Sequence, residues 1–69
     1  MGPQEALRVT GKRAPWVAQQ MGVSRSYLWR LVRGERSWTR DLERSFALAL
    51  GMAPEAISFF GGGLGTTPT

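Results

Sequence analysis

Apolar residues recur at helical spacing through most of this chain. The clearest case is Ala14 to Arg33, APWVAQQMGVSRSYLWRLVR. On a wheel at about 100° per residue, Arg25, Ser26, Trp29, Arg30 and Arg33 fall in one arc, and Tyr27, Leu28, Leu31 and Val32 fall in the opposite one. The apolar arc must be buried to be stable. The other arc then faces outward with three arginines, a serine and a tryptophan. A guanidinium is the side-chain group best shaped to fork onto phosphates and guanine edges. The segment before it, Pro15 to Met21, predicts a second short helix, in which Val17 and Met21 share a face. Ala18 is small enough to let another helix cross closely. Gly22 adopts positive φ cheaply and ends that helix. Val23 is expected to plug inward from the turn, and Ser24 to cap the next helix through its hydroxyl.

The remaining elements follow from the same periodicity. Gln4 to Val9 predicts a first helix whose apolar content is Ala6, Leu7 and Val9. Thr10 to Arg13 is a turn. Pro15 suits the first helical position, where its missing N–H costs nothing, and this leaves Ala14 as a poor cap. Trp16 is expected to be half-buried, and Gln19 and Gln20 exposed. Gly34 ends the Ser24–Arg33 helix. Trp38 is expected to pack under the loop that follows, and Ser37 or Thr39 to cap a helix over Arg40 to Leu50, with Asp41 favourable in its first turn. Leu42, Phe46, Ala49 and Leu50 form the core face of that helix, and Leu48 falls on the other side near Arg44. Gly51 stops it. Pro54 to Phe60 predicts a short fifth helix with Ile57 facing the core. Phe59 and Phe60 either cover the open end of the bundle or, together with Leu48, make a dimer contact.

The chain has 69 residues, which gives one domain at most. Residues 1–60 read as that domain, and Gly61 to Thr69, GGGLGTTPT, as a flexible tail with nothing to form a core. A core this small supplies only about 3–5 kcal/mol of net stability. Eight arginines and one lysine against five acids leave a formal charge of +4, a balance that favours a nucleic-acid partner. Lys12 and Arg13 stand just before the Pro15 helix, where like charge opposes the positive end of the helix dipole. A phosphate neutralising them would explain that placement. With no cysteine and no histidine, disulfides, thiolate metal sites, zinc fingers and imidazole bases are excluded. No apolar run is long enough to span a membrane and no signal-peptide core is present, so the expected location is cytoplasmic.

The set Val17-Ala18-x-x-Met21-Gly22-Val23-Ser24, then Tyr27-Leu28, Leu31 and Arg33-Gly34-Glu35-Arg36, resembles the Cro/repressor-type (lambda-repressor-like) helix-turn-helix family. Leu42, Phe46, Leu50-Gly51-Met52 and Glu55-Ala56-Ile57 are similar to the closing helices of that family. Each element alone is weak, and the set is specific. The resemblance implies an all-α fold, a compact bundle of about five short helices around a central helix-turn-helix, and dimeric binding to operator DNA. Carried over residue by residue, it makes Ser24, Arg25, Ser26 and Arg30 base readers, with Arg25 the first choice to fork onto a guanine. Arg33, and Arg36 and Arg40 beyond it, become phosphate contacts along with Lys12 and Arg13. Trp29 departs from the family pattern, where a polar residue is usual. It is open to three roles: packing on thymine methyls or the sugar backbone, anchoring a protein partner, or lying over Arg25 or Arg33 as a cation–π pair.

The function expected is therefore sequence-specific regulation of transcription: a minimal Cro-like repressor that binds double-stranded DNA as a homodimer and acts by occupying promoter DNA. The alternative is a helix-turn-helix protein that binds a protein partner such as polymerase or another regulator, or a DNA-targeting accessory such as an excisionase. An enzyme is not expected, because five scattered carboxylates without His or Cys offer no convergent site. No cofactor, metal or small-molecule ligand is expected either.

Overall fold

Four α-helices and one 3-10 turn make up the fold in a computed structural model that describes residues 1–59. The order is α1 (Pro3–Thr10), α2 (Ala14–Met21), α3 (Arg25–Val32), α4 (Arg40–Leu50) and the 3-10 turn Pro54–Ala56. There is no strand among the described residues. Phe60 and the segment read as a tail lie outside them.

Local chemistry accounts for each boundary. The Ser24 hydroxyl accepts from the Tyr27 N–H at 3.0 Å and starts α3, and the Thr39 hydroxyl accepts from Leu42 N–H at 3.1 Å and starts α4. Thr39, rather than Ser37, is thus the cap. Helix α2 begins one residue earlier than its proline suggested. Arg13 is the N-cap without a side-chain cap bond, and Ala14 is a buried first-turn residue. Gly22 ends α2 at φ 76°, which brings the Val23 N–H to the Ala18 carbonyl at 3.0 Å. A Cβ at such a φ is strained. The same device recurs at Gly51 after α4.

Helix α2 packs on both α3 and α4, and α1 leans on α4. Phe46, Leu28, Leu31 and Val17 are completely enclosed, and Ala6, Leu7, Ala14, Ala18, Ala47, Leu50 and Ile57 complete the core. No polar or charged side chain is buried among the described residues. The core face of α4 is rotated slightly from the one expected. Phe46, Ala47 and Leu50 are buried, whereas Leu42 and Ala49 are flanking and half-buried. Val9 contributes nothing to the interior at 56% exposure, since α1 turns Ala6 and Leu7 inward. Trp16 is likewise exposed, at 42%, rather than half-buried.

The expected fifth helix is the main correction. Only Pro54–Ala56 is helical, and Ile57 is extended at φ −117°, ψ 134°. Extended backbone places residues i and i+2 on one side. Ile57 and Phe59 both pack into the core, where a helix would have separated them. The intervening Ser58 N–H donates to the Met1 carbonyl at 2.7 Å, tying the two ends of the described chain together. Phe59 meets Trp38 with ring centroids 4.5 Å apart and Phe46 at 5.9 Å, and Trp38 meets Phe46 edge-on at 5.1 Å.

Candidate nucleic-acid interface

Helix α3 has its inner arc enclosed and its outer arc exposed except at Trp29, which was expected to face outward and is instead half-buried against the core. Leu28 and Leu31 have no exposed surface, and Tyr27 and Val32 flank them half-buried. Arg25, Ser26, Arg30 and Arg33 are all exposed. The helix has eight residues and is about 12 Å long at 1.5 Å per residue, comparable to the width of a DNA major groove. Its C-terminal end is held by Trp38, whose indole N–H donates to the Leu31 carbonyl at 3.1 Å.

The arginines of α3 do not stand alone. One shallow, open concavity is lined by Arg25, Ser26, Trp29 and Arg30 of α3 with its C-cap Arg33, and by Ala14 and Pro15 of α2 with its N-cap Arg13. The packing of α2 against α3 therefore brings Arg13 to the same depression as three arginines twelve or more positions further along the chain. Four guanidiniums around one depression repel one another, and an anionic ligand relieves that repulsion. Among the described residues, the acid paired with this group is Glu35, whose carboxylate lies 3.2 Å from Arg33 Nε, both side chains more than half exposed. Gly34, at φ 81°, turns the chain so that Glu35 comes back beside Arg33.

Trp29 is half-buried against the core and also lines a second concavity. That one is walled by α1 residues including Pro3, Gln4, Leu7 and Arg8, together with Lys12, Ala14 and Val32. It is thus a ridge between the arginine-lined depression and the α1 side. Lys12 sits on the α1 side, its Nζ 5.2 Å from the centroid of the exposed Trp16 ring. Arg36 lies over the Tyr27 ring at 5.9 Å, on the other flank of α3. Arg40 is exposed but lines a different surface, with Glu43, Arg44 and Glu55. It is not brought to the α3 depression. Ser24 is exposed, and its oxygen is engaged as the cap of α3.

The three residues read as a dimer contact part company. Leu48 is 78% exposed on the outer side of α4. Phe59 is engaged within its own chain, against Trp38 and Phe46. Phe60 lies outside the described residues. Two further residues take part in the surface around α3. Tyr27 belongs to the apolar arc, and Arg36 lies over its ring. Glu35 pairs with Arg33, and the Arg33-Gly34-Glu35 spacing is the sequence signal for that ion pair. Compared with models of protein families, with curated proteins and with solved structures, the chain matches none. No described helix is long and apolar enough to cross a membrane.

Proposed function

We propose that this chain is a sequence-specific binder of duplex DNA that presents α3 to the major groove, in the manner of a small Cro-like helix-turn-helix repressor. The observation that carries this reading is the convergence of Arg13, Arg25, Arg30 and Arg33 on one exposed depression at the α2–α3 junction. In this reading α2, the Gly22-Val23-Ser24 turn and α3 are the helix-turn-helix unit. Arg25, Ser26 and Arg30 reach base edges from the first turns of α3. Ser24 contributes its hydroxyl hydrogen, which the capping bond leaves free. Arg13, Arg33, Lys12 and Arg36 hold the phosphates on either side. Arg40, on a different surface, adds to the positive field that steers the duplex rather than holding a phosphate at the depression.

Two copies bind successive major grooves with their α3 helices about 34 Å apart, and repression follows from occupancy alone. Of the two described members of the expected dimer patch, Leu48 is the one that stands free on the surface, and the dimer contact is assigned to it. A second reading, docking on a protein partner, draws on the half-buried Trp29 beside the α1 concavity. The arginine-lined depression favours DNA over it, since protein-facing patches are not so concentrated in one charge.

The test is selection from random duplex DNA at near-physiological salt, with the Arg25→Ala/Arg30→Ala double variant as control. A palindrome enriched by the parent and lost by the variant is the expected result. Binding that is weak, salt-sensitive and without sequence preference in both would overturn the reading. With about four phosphates neutralised per protomer, log K is expected to fall with log salt at a slope of about −3.6 per protomer.

A further inference from the structure

We propose that Trp29 is a specificity-determining residue that reads the C5-methyl group of thymine, resting on the duplex-DNA reading above. Three observations point there. The first is position: Trp29 lies one turn after Arg25 and one turn before Arg33, in the same outward column of α3. A base pair adjacent to one read by Arg25 therefore comes opposite Trp29. The second is support: the ring is half-buried against the core and lines the depressions on both of its sides. It has less freedom than the exposed side chains of Arg13, Arg25 and Arg30 around it. A pre-positioned group loses little entropy on contact. The third is chemistry: within the arginine-lined depression Trp29, Ala14 and Pro15 supply the apolar surface. The one apolar feature on the major-groove edges of the bases is the thymine methyl. An apolar ridge in a cationic depression is thus matched to a thymine flanked by a guanine and the phosphates.

The experiment uses the duplex recovered by selection and changes the DNA rather than the protein. Each thymine in turn is replaced by uracil, which removes the methyl and leaves every hydrogen-bonding group in place. Affinity is read by fluorescence anisotropy of the labelled duplex. Burial of one methyl corresponds to about a fourfold change in affinity. The parent is expected to lose about that factor at one thymine per half-site and little elsewhere. Trp29→Gln, which keeps a stem over the core but removes the apolar edge, is expected to bind the thymine and uracil duplexes equally. Equal binding of both duplexes by the parent would overturn the inference while leaving the DNA reading intact, and would assign Trp29 to the sugar backbone or to a protein partner. A uracil penalty that persists unchanged in Trp29→Gln would also overturn it, by showing that another residue reads the methyl. Absence of any sequence-dependent duplex binding sinks both readings together.

Discussion

Trp38 is the residue through which the loop after α3 is fastened to the rest of the bundle, and its removal has a computable consequence. Its indole N–H donates to Leu31 O at 3.1 Å, and its ring packs on Phe46 at 5.1 Å and Phe59 at 4.5 Å. Trp38→Phe removes the donor and a small part of the ring while keeping an aromatic in place. The lost hydrogen bond contributes about 1 kcal/mol, and weakened aromatic contact adds up to about 1 kcal/mol more. The expected loss is thus about 1–2 kcal/mol, which for a domain of this size lowers Tm by roughly 4–16 °C. Trp38→Ala removes all three interactions. Because Trp38 is half-buried rather than enclosed, its cost falls at the low end of the range for large aromatics, about 3 kcal/mol. Against a total of about 3–5 kcal/mol, that variant keeps about 0–2 kcal/mol, so roughly a few per cent to half of it is expected to be unfolded at room temperature. Urea denaturation followed by far-ultraviolet circular dichroism measures both. Tryptophan fluorescence is unsuitable, since the substitution deletes a reporter. A Trp38→Phe protein as stable as the parent, or a Trp38→Ala protein no worse than Trp38→Phe, refutes the argument that this side chain fastens the loop. A double-mutant cycle with Phe59→Leu is expected to show coupling of about 0.5–1.5 kcal/mol, and additivity would deny the contact.

Other consequences are equally open to measurement. Ser24→Ala and Thr39→Ala each remove a helix cap seen directly in the structure and are expected to cost about 1 kcal/mol apiece, read as a lower urea midpoint at unchanged m-value. Gly22→Ala forces a Cβ into positive φ and is expected to cost about 1–2 kcal/mol, although nothing crowds that Cβ; a neutral result would mean that the turn rearranges. Glu35→Gln releases Arg33 from its ion pair and removes a negative charge from the proposed interface. DNA affinity is expected to rise a few-fold at low salt and to converge on the parent at high salt, as for any exposed charge; a loss of affinity would assign Glu35 a base contact instead. Leu48→Glu is expected to shift the protein toward monomer in sedimentation equilibrium without altering its helicity, and an unchanged state would remove Leu48 from the dimer reading.

Local rules made most of the helices legible in advance. Gly22 and Gly51 ended the helices they were expected to end, Ser24 capped α3, and the bounds of α4 were read to the residue. These features depend on one turn of chain: a hydroxyl within reach of an N–H three residues on, or a backbone angle that only glycine adopts cheaply. The exposed arc of α3 was legible for the same reason, since residues spaced by one turn share a face whatever surrounds them.

What tertiary structure decided lies where two distant segments compete for the same space. Residues 57–59 have a sequence compatible with a helix. The backbone is extended at Ile57 instead, because Ile57 and Phe59 both reach the core that way and Ser58 finds the Met1 carbonyl. Phe59 was spoken for by Trp38 and Phe46, a choice invisible until the loop after α3 is folded back. Arg13 joined the arginines of α3 through helix packing, whereas Arg40, equally basic in sequence, was turned toward another surface. Periodicity orders the faces of one element. Which faces meet, and which charged side chains then stand together, depends on the burial of apolar area summed over the whole chain, and no single stretch of sequence carries that sum.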